Sequence, residues 1–305
     1  MSDNENMLNI SIGILTWKRL DILRQTLDSY KKGGLLDLTD DITVFFNEIG
    51  EEEIALAKEY NLKCIGDKEN IGIKNAYKTL VDNAKHEYFL FLENDWYLIE
   101  NPDTVKKRLV ASMKLLAENA ADVIRFRHRI YPGLPCGIAY KNIKHPERTP
   151  KYDLAFVPNI SKNPCALFEE ISEKKIGDDT YYFVGPKNTY WTNNPCLLKT
   201  SVVKGIINLD LPAPKDAQNK KNKTYRTSEI NVALEEVMKA YWPTTDYITA
   251  LSPGLFTHLD YIENFKPHRR YPAILIKFAS AFIRNAKKRR EFRARYSLPK
   301  AFYDQ

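Results

Sequence analysis

The sequence has few cysteines and no long apolar run, and each of these features excludes some classes of protein. Its four cysteines, Cys64, Cys136, Cys165 and Cys196, lie far apart and form no CxxC pair, so neither a zinc knuckle nor a disulfide framework is predicted. No apolar segment approaches the roughly 20 residues that span a bilayer, and the polar residues 1–6 do not resemble a secretory signal. The sequence therefore predicts reduced thiols and a cytoplasmic protein.

Excess positive charge is also missing from most of the chain. The 305 residues carry 46 Lys and Arg against 39 Asp and Glu, a formal net charge of +7. Residues 266–305 hold twelve of these cations against two acids, which leaves residues 1–265 with thirty-four cations against thirty-seven acids. Because the body is mildly acidic and its aromatic residues do not interleave with the basic cluster, nucleic acid is not a predicted partner.

The first hundred residues do contain a regular alternation of strand-like and helix-like segments. Residues 8–15 are nearly all apolar, which is typical of a strand buried on both faces. Residues 20–30 carry apolar side chains at helical spacing and end at Gly33-Gly34. Further strands are predicted at 42–46, 63–65, 88–92, 123–126 and within 190–198, and further helices at 51–60, 74–83 and 229–241. This order predicts an α/β fold with a mostly parallel sheet and helices on both faces.

Two carboxylates follow the fourth predicted strand. Glu93 and Asp95 come directly after residues 88–92 and are separated only by Asn94. Such sheets bind ligands beyond the carboxyl ends of their strands, and residues two apart in an extended chain point to the same side. Carboxylate oxygens suit Mg²⁺ or Mn²⁺ shared with a diphosphate. Taken alone, the pair is more typical of a solvated loop that caps the next element.

The segment 70–96 resembles the sugar-nucleotide-binding half of GT-A-fold glycosyltransferases, in particular the inverting family two. Asn70-Ile71-Gly72 resembles that family's turn, Ala76 its small helix residue, and residues 89–95 its apolar strand with a DxD-type acidic motif. Residues 10–19 resemble its first strand and the Thr-x-Asn-Arg end of that strand. The resemblance covers about residues 8–96 and extends to the rest only in outline.

Four positions depart from the family's pattern. Lys18 stands where Asn is usual, Tyr77-Lys78 replaces an Arg-Asn pair, and Glu93 replaces the first Asp of the acidic motif. Base or diphosphate contacts of the Arg-Asn pair are therefore not carried over. Of the two acids, Asp95 is the safer ligand assignment.

The resemblance implies a GT-A fold, that is, a three-layer α/β/α arrangement around a mostly parallel mixed sheet. It implies a metal-dependent transfer of a sugar, with inversion, from a nucleoside-diphosphate sugar to a hydroxyl of a glycan, glycolipid or glycoprotein. The metal would be Mn²⁺ or Mg²⁺, and a UDP-sugar is favoured over a GDP-sugar. The catalytic domain is expected at residues 1–265, with a nucleotide-sugar-binding half at about 8–100 and an acceptor-side half at 101–265.

The resemblance also implies positions for the donor and the metal. The expected donor-binding residues are Thr16, Arg19, Glu48, Asp67, Asn70, Gly72, Glu93 and Asn94. The expected metal ligands are Asp95 and His258, the latter at the end of the sequence GLFTH. The fork of Arg19 suits a phosphate, because it donates two parallel hydrogen bonds. The alternatives are a surface charge for Arg19, a loop residue for Glu48 and a structural histidine for His258.

An inverting transferase needs a carboxylate that deprotonates the acceptor hydroxyl. The resemblance places this base near the start of a helix, where Glu229 lies, although an acid in a first turn is favourable in any helix. Its alternatives are Asp179, Glu235 and Glu236. Trp191, Asn193 and Asn194 are expected to bind the donor sugar or the acceptor, and the alternative for Trp191 is a place in the core.

Residues 266–305 are predicted to form a basic amphipathic helical extension at the C-terminus. This extension either contacts the cytoplasmic face of an anionic membrane, which would suit a lipid-linked acceptor, or packs its apolar stripe against the catalytic domain. Two other functions stay open. A nucleotidyltransferase-like enzyme usually carries a Gly-rich, Lys- and Arg-containing loop after its first strand, which is absent here. A non-catalytic module that binds nucleotide sugars is the second.

Overall fold

The computed structural model describes residues 7–129, 171–186, 189, 191–208 and 241–259. These ranges form one ten-stranded sheet with helices on both faces. The strands are β1 (Ile10–Trp17), β2 (Ile42–Asn47), β3 (Lys63–Asp67), β4 (Tyr88–Glu93), β5 (Trp96–Leu98), β6 (Val123–Arg127), β7 (Ile171–Ile176), β8 (Asp179–Val184), β9 (Cys196–Lys199) and β10 (Thr249–His258). The α-helices are α1 (Leu20–Lys32), α2 (Glu51–Glu59), α3 (Gly72–Asp82), α4 (Pro102–Ala117) and α5 (Thr200–Ile207), and short 3₁₀ turns lie at Leu35–Asp37 and Trp242–Thr244.

The strand order is β3-β2-β1-β4-β9-β6-β10-β8-β7, with β5 paired to β10. The pairs β1–β2, β1–β4, β2–β3 and β6–β10 are parallel, whereas β9, β8 and β5 run antiparallel to the strands beside them. The predicted α/β class with a mixed, mostly parallel sheet is confirmed. Both predicted halves of the chain contribute strands to this one sheet, since β1–β5 precede residue 100 and β6–β10 follow it.

The apolar runs of the sequence account for the centre of the sheet. β1 and β4 are buried along almost their whole length, as continuous apolar strands covered on both faces should be. Gly13 of β1 is required by packing, because a Cβ there would lie 2.4 Å from the Phe89 ring. α1 and α4 pack on one face of the sheet, and α3 and α5 pack on the other.

Several elements were not predicted. α4 begins with an ordinary cap, in which Asn101 Oδ1 accepts the Thr104 amide at 3.0 Å and proline occupies the first helical turn. The β7–β8 hairpin, the three-residue β5 and the helix α5 were also missed. β7 is difficult to predict because it lies at the edge of the sheet, where its polar residues 172–175 are exposed.

Some predictions fall on residues outside the described ranges. These are the base Glu229 with its alternatives Glu235 and Glu236, most of the helix predicted at 229–241, and the basic extension 266–305. Among the helices that are described, none has both the length and the apolar character needed to cross a membrane.

β10 carries the irregularity that matters most for the site. It pairs with β6 at residues 249–251 and again at Phe256, so its register shifts between Leu251 and Phe256. The bulge contains Gly254, whose φ is +97°. Beyond the bulge, β10 continues antiparallel to β5 and places His258 opposite Trp96.

Candidate functional site

The predicted site residues converge at the carboxyl edge of the sheet. β1, β2, β3 and β4 all end there, because they are parallel neighbours. β6 and β10 are parallel to each other and end at the same edge, since β9 is antiparallel to both β4 and β6. The residues that precede β9, Asn193 and Asn194, therefore also lie at this edge. In open α/β sheets this is where ligands bind.

Asp95 and His258 are brought together by strand pairing. His258 lies opposite Trp96 in the β5–β10 ladder, and the Leu259 amide donates to the Asp95 carbonyl at 2.7 Å. The imidazole Nε2 is 3.5 Å from Asp95 Oδ2, and the ring stands edge-on to the Trp96 indole with centroids 4.9 Å apart. Arg19 Nη1 lies 3.4 Å from the same Asp95 oxygen. One carboxylate thus has a guanidinium and an imidazole beside it.

Several buried polar atoms without partners belong to Asp95 or to other residues at this edge of the sheet. Asp95 Oδ1 is buried and accepts no hydrogen bond from any described residue. Within the described ranges, the donors Asn94 Nδ2, Trp96 Nε1 and Asn194 Nδ2 and the hydroxyl Thr257 Oγ1 are also buried and make no hydrogen bond. Orphaned buried polar groups are few in folded proteins, and a missing water, ion or ligand is a common reason for them. The orphaned Asp95 Oδ1, beside an imidazole and a guanidinium, marks a position where a polar ligand fits.

The residues around Asp95 suit a divalent cation that is shared with a ligand. The described residues contain no group of three or more His, Cys, Asp and Glu side chains arranged to hold a metal. Asp95 and His258 offer one carboxylate and one imidazole, and two protein ligands leave most of a cation's coordination positions to other donors. Phosphate oxygens and water are suitable donors for Mg²⁺ or Mn²⁺.

Glu48 belongs to a second charged group at the same edge. Its Oε1 accepts the Trp17 indole N–H at 3.0 Å, and its Oε2 pairs with Lys18 Nζ at 3.0 Å. The indole hydrogen bond, followed by the Lys18 ammonium, holds the pKa of Glu48 below its usual value. Lys18 Nζ also lies over the Trp17 ring, 4.9 Å from its centroid.

The turn between β1 and α1 is strained in a way that directs two cations. Lys18 and Arg19 are its only residues, and both are left-handed, with φ of 53° and 58°. Glu48 is also left-handed, with φ of 65°. This region costs an L-residue about 1–2 kcal/mol, and such strain clusters at functional sites. The turn directs the Lys18 side chain toward Glu48 and the Arg19 side chain toward Asp95.

The other predicted donor residues shape the loops at this edge. The Thr16 hydroxyl is buried and donates to the Lys18 carbonyl at 3.4 Å. Asn70 Oδ1 accepts the amide of Gly72, the left-handed residue at which α3 begins. Asp67 is exposed and accepts the Glu69 amide. Glu93 ends β4 half-buried.

On the acceptor side, the structure supports the core alternative for Trp191. Its side chain is 1% exposed and packs against Tyr77 and Trp242, with the Arg125 guanidinium over its ring at 5.4 Å. A face covered in this way is not presented to a sugar. Asn194 is buried and Asn193 half-buried.

Asp179, one alternative for the catalytic base, is bound by a guanidinium. Arg108 Nε and Nη2 donate to its two carboxylate oxygens at 3.0 and 3.1 Å. Both oxygens of the carboxylate are therefore already engaged by the guanidinium fork. The structure therefore does not support Asp179 as the base.

Two residues at this edge were assigned no role from the sequence. Asn47 Oδ1 accepts the Ile71 amide at 3.1 Å and so links β2 to the start of α3. Arg127 is 6% exposed, donates to Asn194 Oδ1 at 3.4 Å and lies over the Trp96 ring at 5.2 Å. Asn47 could have been found from the sequence because it is the polar residue that ends an apolar strand. Arg127 could have been found because Arg125 and Arg127 occupy alternate positions of an apolar strand.

Comparisons with known proteins give similarity only at the level of solved structures. No family model matches the chain, and no curated protein matches it. Residues 1–349 of S. aureus TarS are 14% identical with a TM-score of 0.47, over 97% of this chain and 68% of that one. The mannosyltransferase PcManGT from Pyrobaculum calidifontis, solved with GDP-Man and Mn²⁺, is 11% identical with a TM-score of 0.47, over 90% of this chain and 61% of that one.

A third solved structure of the same kind is glucosyl-3-phosphoglycerate synthase from Mycobacterium tuberculosis with Mn²⁺, UDP-Glc and phosphoglyceric acid. It is 12% identical with a TM-score of 0.38, over 63% of this chain and 57% of that one. The solved structures that this chain resembles thus include glycosyltransferases. At these identities and scores the likeness carries no argument about chemistry, which has to come from the residues of the site.

Proposed function

We propose that this protein is a metal-dependent glycosyltransferase that moves a sugar from a nucleoside-diphosphate sugar to a hydroxyl acceptor. The observation that carries the proposal is the arrangement of Asp95, His258 and Arg19. At the carboxyl edge of the sheet, the imidazole and the guanidinium each lie within 3.5 Å of the Asp95 carboxylate. The other oxygen of that carboxylate has no hydrogen-bond partner in the described ranges. A divalent cation would bind Asp95 and His258, and a diphosphate would bind Arg19.

In this proposal Asp95 and His258 hold Mn²⁺ or Mg²⁺ together with the donor diphosphate. The bound cation would supply Lewis-acid stabilisation of the charge that develops on the departing diphosphate. Arg19 leaves Asp95 and donates to phosphate oxygens, for which its planar fork is suited. Glu48, at the end of β2, accepts hydrogen bonds from the nucleobase, and a UDP-sugar is favoured over a GDP-sugar.

The acceptor side of the proposal rests on fewer observations. Asn193 and Asn194 lie at the same edge of the sheet as Asp95, where amide groups can bind sugar hydroxyls. Glu229 remains the proposed base and inversion the proposed outcome, with the catalytic domain at 1–265. The acceptor is proposed to be a hydroxyl of a glycan or of a lipid-linked molecule.

A panel of nucleotide sugars tests the proposal directly. Thermal unfolding measured with UDP-Glc, GDP-Man and related donors, each with and without Mn²⁺, is expected to give a stabilisation that requires both donor and metal. A ligand at 100 times its Kd stabilises the native state by about 2.7 kcal/mol. Nucleoside triphosphates separate the nucleotidyltransferase alternative. If no donor gives a metal-dependent shift, the transferase proposal is wrong.

Arg19→Gln should change metal and donor affinity in opposite directions. Without donor, the substitution removes a cation that competes for Asp95, so Mn²⁺ affinity measured by electron paramagnetic resonance should rise a few-fold, since an exposed pair contributes about 0–1 kcal/mol. With saturating Mn²⁺, donor affinity should fall about tenfold to a hundredfold, because hydrogen bonds to charged groups contribute about 1.5–3 kcal/mol.

Arg24→Gln is the matched control for this prediction. Arg24 lies on the same helix, α1, and is paired with Glu59 on the protein surface. It should leave both affinities unchanged. A fall in Mn²⁺ affinity for Arg19→Gln without donor would contradict competition at Asp95.

A further inference from the structure

Arg108 joins three elements around the bulge of β10. Its side chain is 12% exposed and extends from α4. Nη1 donates to Glu100 Oε1 at 2.7 Å, just after β5, and to the Gly254 carbonyl in the bulge at 2.6 Å. Nε and Nη2 hold Asp179, at the start of β8, as described above. A guanidinium is the side chain suited to this set of acceptors, because its five donors have a fixed planar geometry.

A second connection reaches the other end of the bulge through Glu100. His128 Nε2 lies 3.1 Å from Glu100 Oε1, and the main-chain amide of His128 donates to the Phe256 carbonyl at 2.7 Å. Glu100 therefore links Arg108, which holds Gly254, to His128, which holds Phe256. One partly buried network thus holds the Gly254 carbonyl inside the bulge and the Phe256 carbonyl at its end.

The bulge determines which residue of β10 faces the candidate metal site. Leu251 pairs with Arg125 and Phe256 with Arg127, so five steps along β10 match two along β6. Beyond this point Phe256 pairs with Leu98 and His258 with Trp96. Because side chains alternate between the faces of a strand, a slip of one residue would turn the imidazole away from Asp95.

From this network we infer that Arg108 is a positioning residue for His258. It fixes the bulge of β10 and thereby the imidazole beside Asp95, although it contacts neither of them in the described contacts. The metal-binding consequence rests on the proposed function, whereas the placement of the imidazole does not. Arg108 is thus expected to affect metal affinity through the register of β10.

Lys107 provides a matched control, since it is the neighbouring cation on α4. Its Nζ pairs with Asp178 at 3.1 Å, one residue before Asp179 in the same β7–β8 turn. Both side chains join α4 to that turn, but the Lys107 pair lies at the surface, with 52% and 96% of the side chains exposed. A general loss of attachment between α4 and the hairpin would appear in both variants, whereas a loss of β10 register would appear only in the Arg108 variant.

The test compares Arg108→Lys with Lys107→Gln in the full chain. The first readout is the nuclear Overhauser cross-peak between the Trp96 and His258 rings without metal, which is expected to weaken in R108K and persist in K107Q. The second is Mn²⁺ affinity without donor, which is expected to fall about tenfold in R108K only. In a His258→Ala background, R108K should cause no further loss, since coupled residues are not additive.

The outcomes separate the inference from the proposed function. A folded R108K protein with the wild-type cross-peak would overturn the positioning role, as would a tenfold loss that persists in the His258→Ala background. If the cross-peak weakens while wild-type Mn²⁺ affinity does not depend on His258, the positioning role stands and the proposed metal site fails. If R108K does not fold, the Glu100→Gln variant is tested in its place. This substitution keeps the Arg108–Asp179 pair and weakens the link to His128. The same loss of the cross-peak is expected.

Discussion

Asp95→Ala is expected to abolish the Mn²⁺-dependent binding of nucleotide sugars. The Asp95 carboxylate lies beside both groups, with Oδ2 3.5 Å from His258 Nε2 and 3.4 Å from Arg19 Nη1. Without it the imidazole alone cannot hold a hard divalent cation, which prefers oxygen ligands. Loss of groups that only orient metal ligands already costs about 10–100-fold in affinity, so loss of this ligand should cost at least about 100-fold.

The same substitution should not harm the fold. The main-chain carbonyl of Asp95, which accepts the Leu259 amide, remains in place. The removed Oδ1 is a buried acceptor without a partner in the described ranges, and such an atom carries a desolvation cost with no compensating hydrogen bond. The lost contact between Oδ2 and Arg19, whose side chain is 41% exposed, contributes only about 0–1 kcal/mol. The metal-free variant should therefore unfold close to the wild-type temperature.

Asp178→Ala is the control, since it removes an exposed carboxylate from the β7–β8 turn. It should retain the full donor- and Mn²⁺-dependent stabilisation in thermal unfolding and in calorimetric titration. A metal-dependent donor response that survives in Asp95→Ala would show that the cation is held elsewhere, and the assignment of Asp95 would be wrong.

Much of the first half of the fold could be predicted because it is encoded locally. β1 and β4 are continuous apolar runs, and α1 has its apolar residues at helical spacing, so their predicted bounds differ little from the observed ones. α3 begins at Gly72, two residues before its predicted start, because the Asn70 side chain accepts the Gly72 amide. The Asn-x-Gly turn is thus itself a helix start.

The site could be predicted only in part, because its geometry depends on long-range pairing. The resemblance indicated both Asp95 and His258, but the β5–β10 ladder that joins them includes a three-residue strand with little local signal. The partly buried network around Arg108 could not be predicted either. Its members, Glu100, His128 and Asp179, come from separate elements and meet only in the folded chain.

The sequence also could not predict which charged groups pair with one another at the site. Glu48 was predicted as a donor-binding residue, and in the structure both of its oxygens contact the β1–α1 turn, through Trp17 and Lys18. Donor binding at Glu48 would therefore replace or share these contacts. The strained turn places Lys18 beside Glu48 and Arg19 beside Asp95, so that each of these two acids has a cation next to it without a ligand.

Gly254→Ala is expected to destabilise the protein by about 3 kcal/mol or more, which places it among the largest effects of a single substitution. Two independent reasons apply. The φ of Gly254 is +97°, a region that L-residues rarely adopt. A Cβ at this position would also lie 2.2 Å from His128 Cα and 2.6 Å from the Arg127 carbonyl oxygen. These are backbone atoms of the neighbouring strand, so no side-chain rotation relieves the overlap.

Gly205→Ala is the matched control, because it makes the same change in a place without either obstacle. Gly205 lies within α5, and a Cβ there would have no neighbour within 4 Å. Alanine in a helix interior is favoured over glycine by about 1 kcal/mol, so this variant should be slightly more stable in urea-induced unfolding. Opposite signs for one chemical change would show that backbone contact at the bulge, and not added volume, is responsible.

The two glycines also connect stability to the site. If Gly254→Ala folds at all, relief of the overlap requires the bulge to separate from β6, and the register that places His258 opposite Trp96 is then lost. Its Mn²⁺ affinity should fall as far as that of His258→Ala, whereas Gly205→Ala should keep wild-type affinity. A Gly254→Ala protein within about 1 kcal/mol of the wild type, the range of ordinary substitutions, would mean that the bulge is adaptable and does not fix the imidazole.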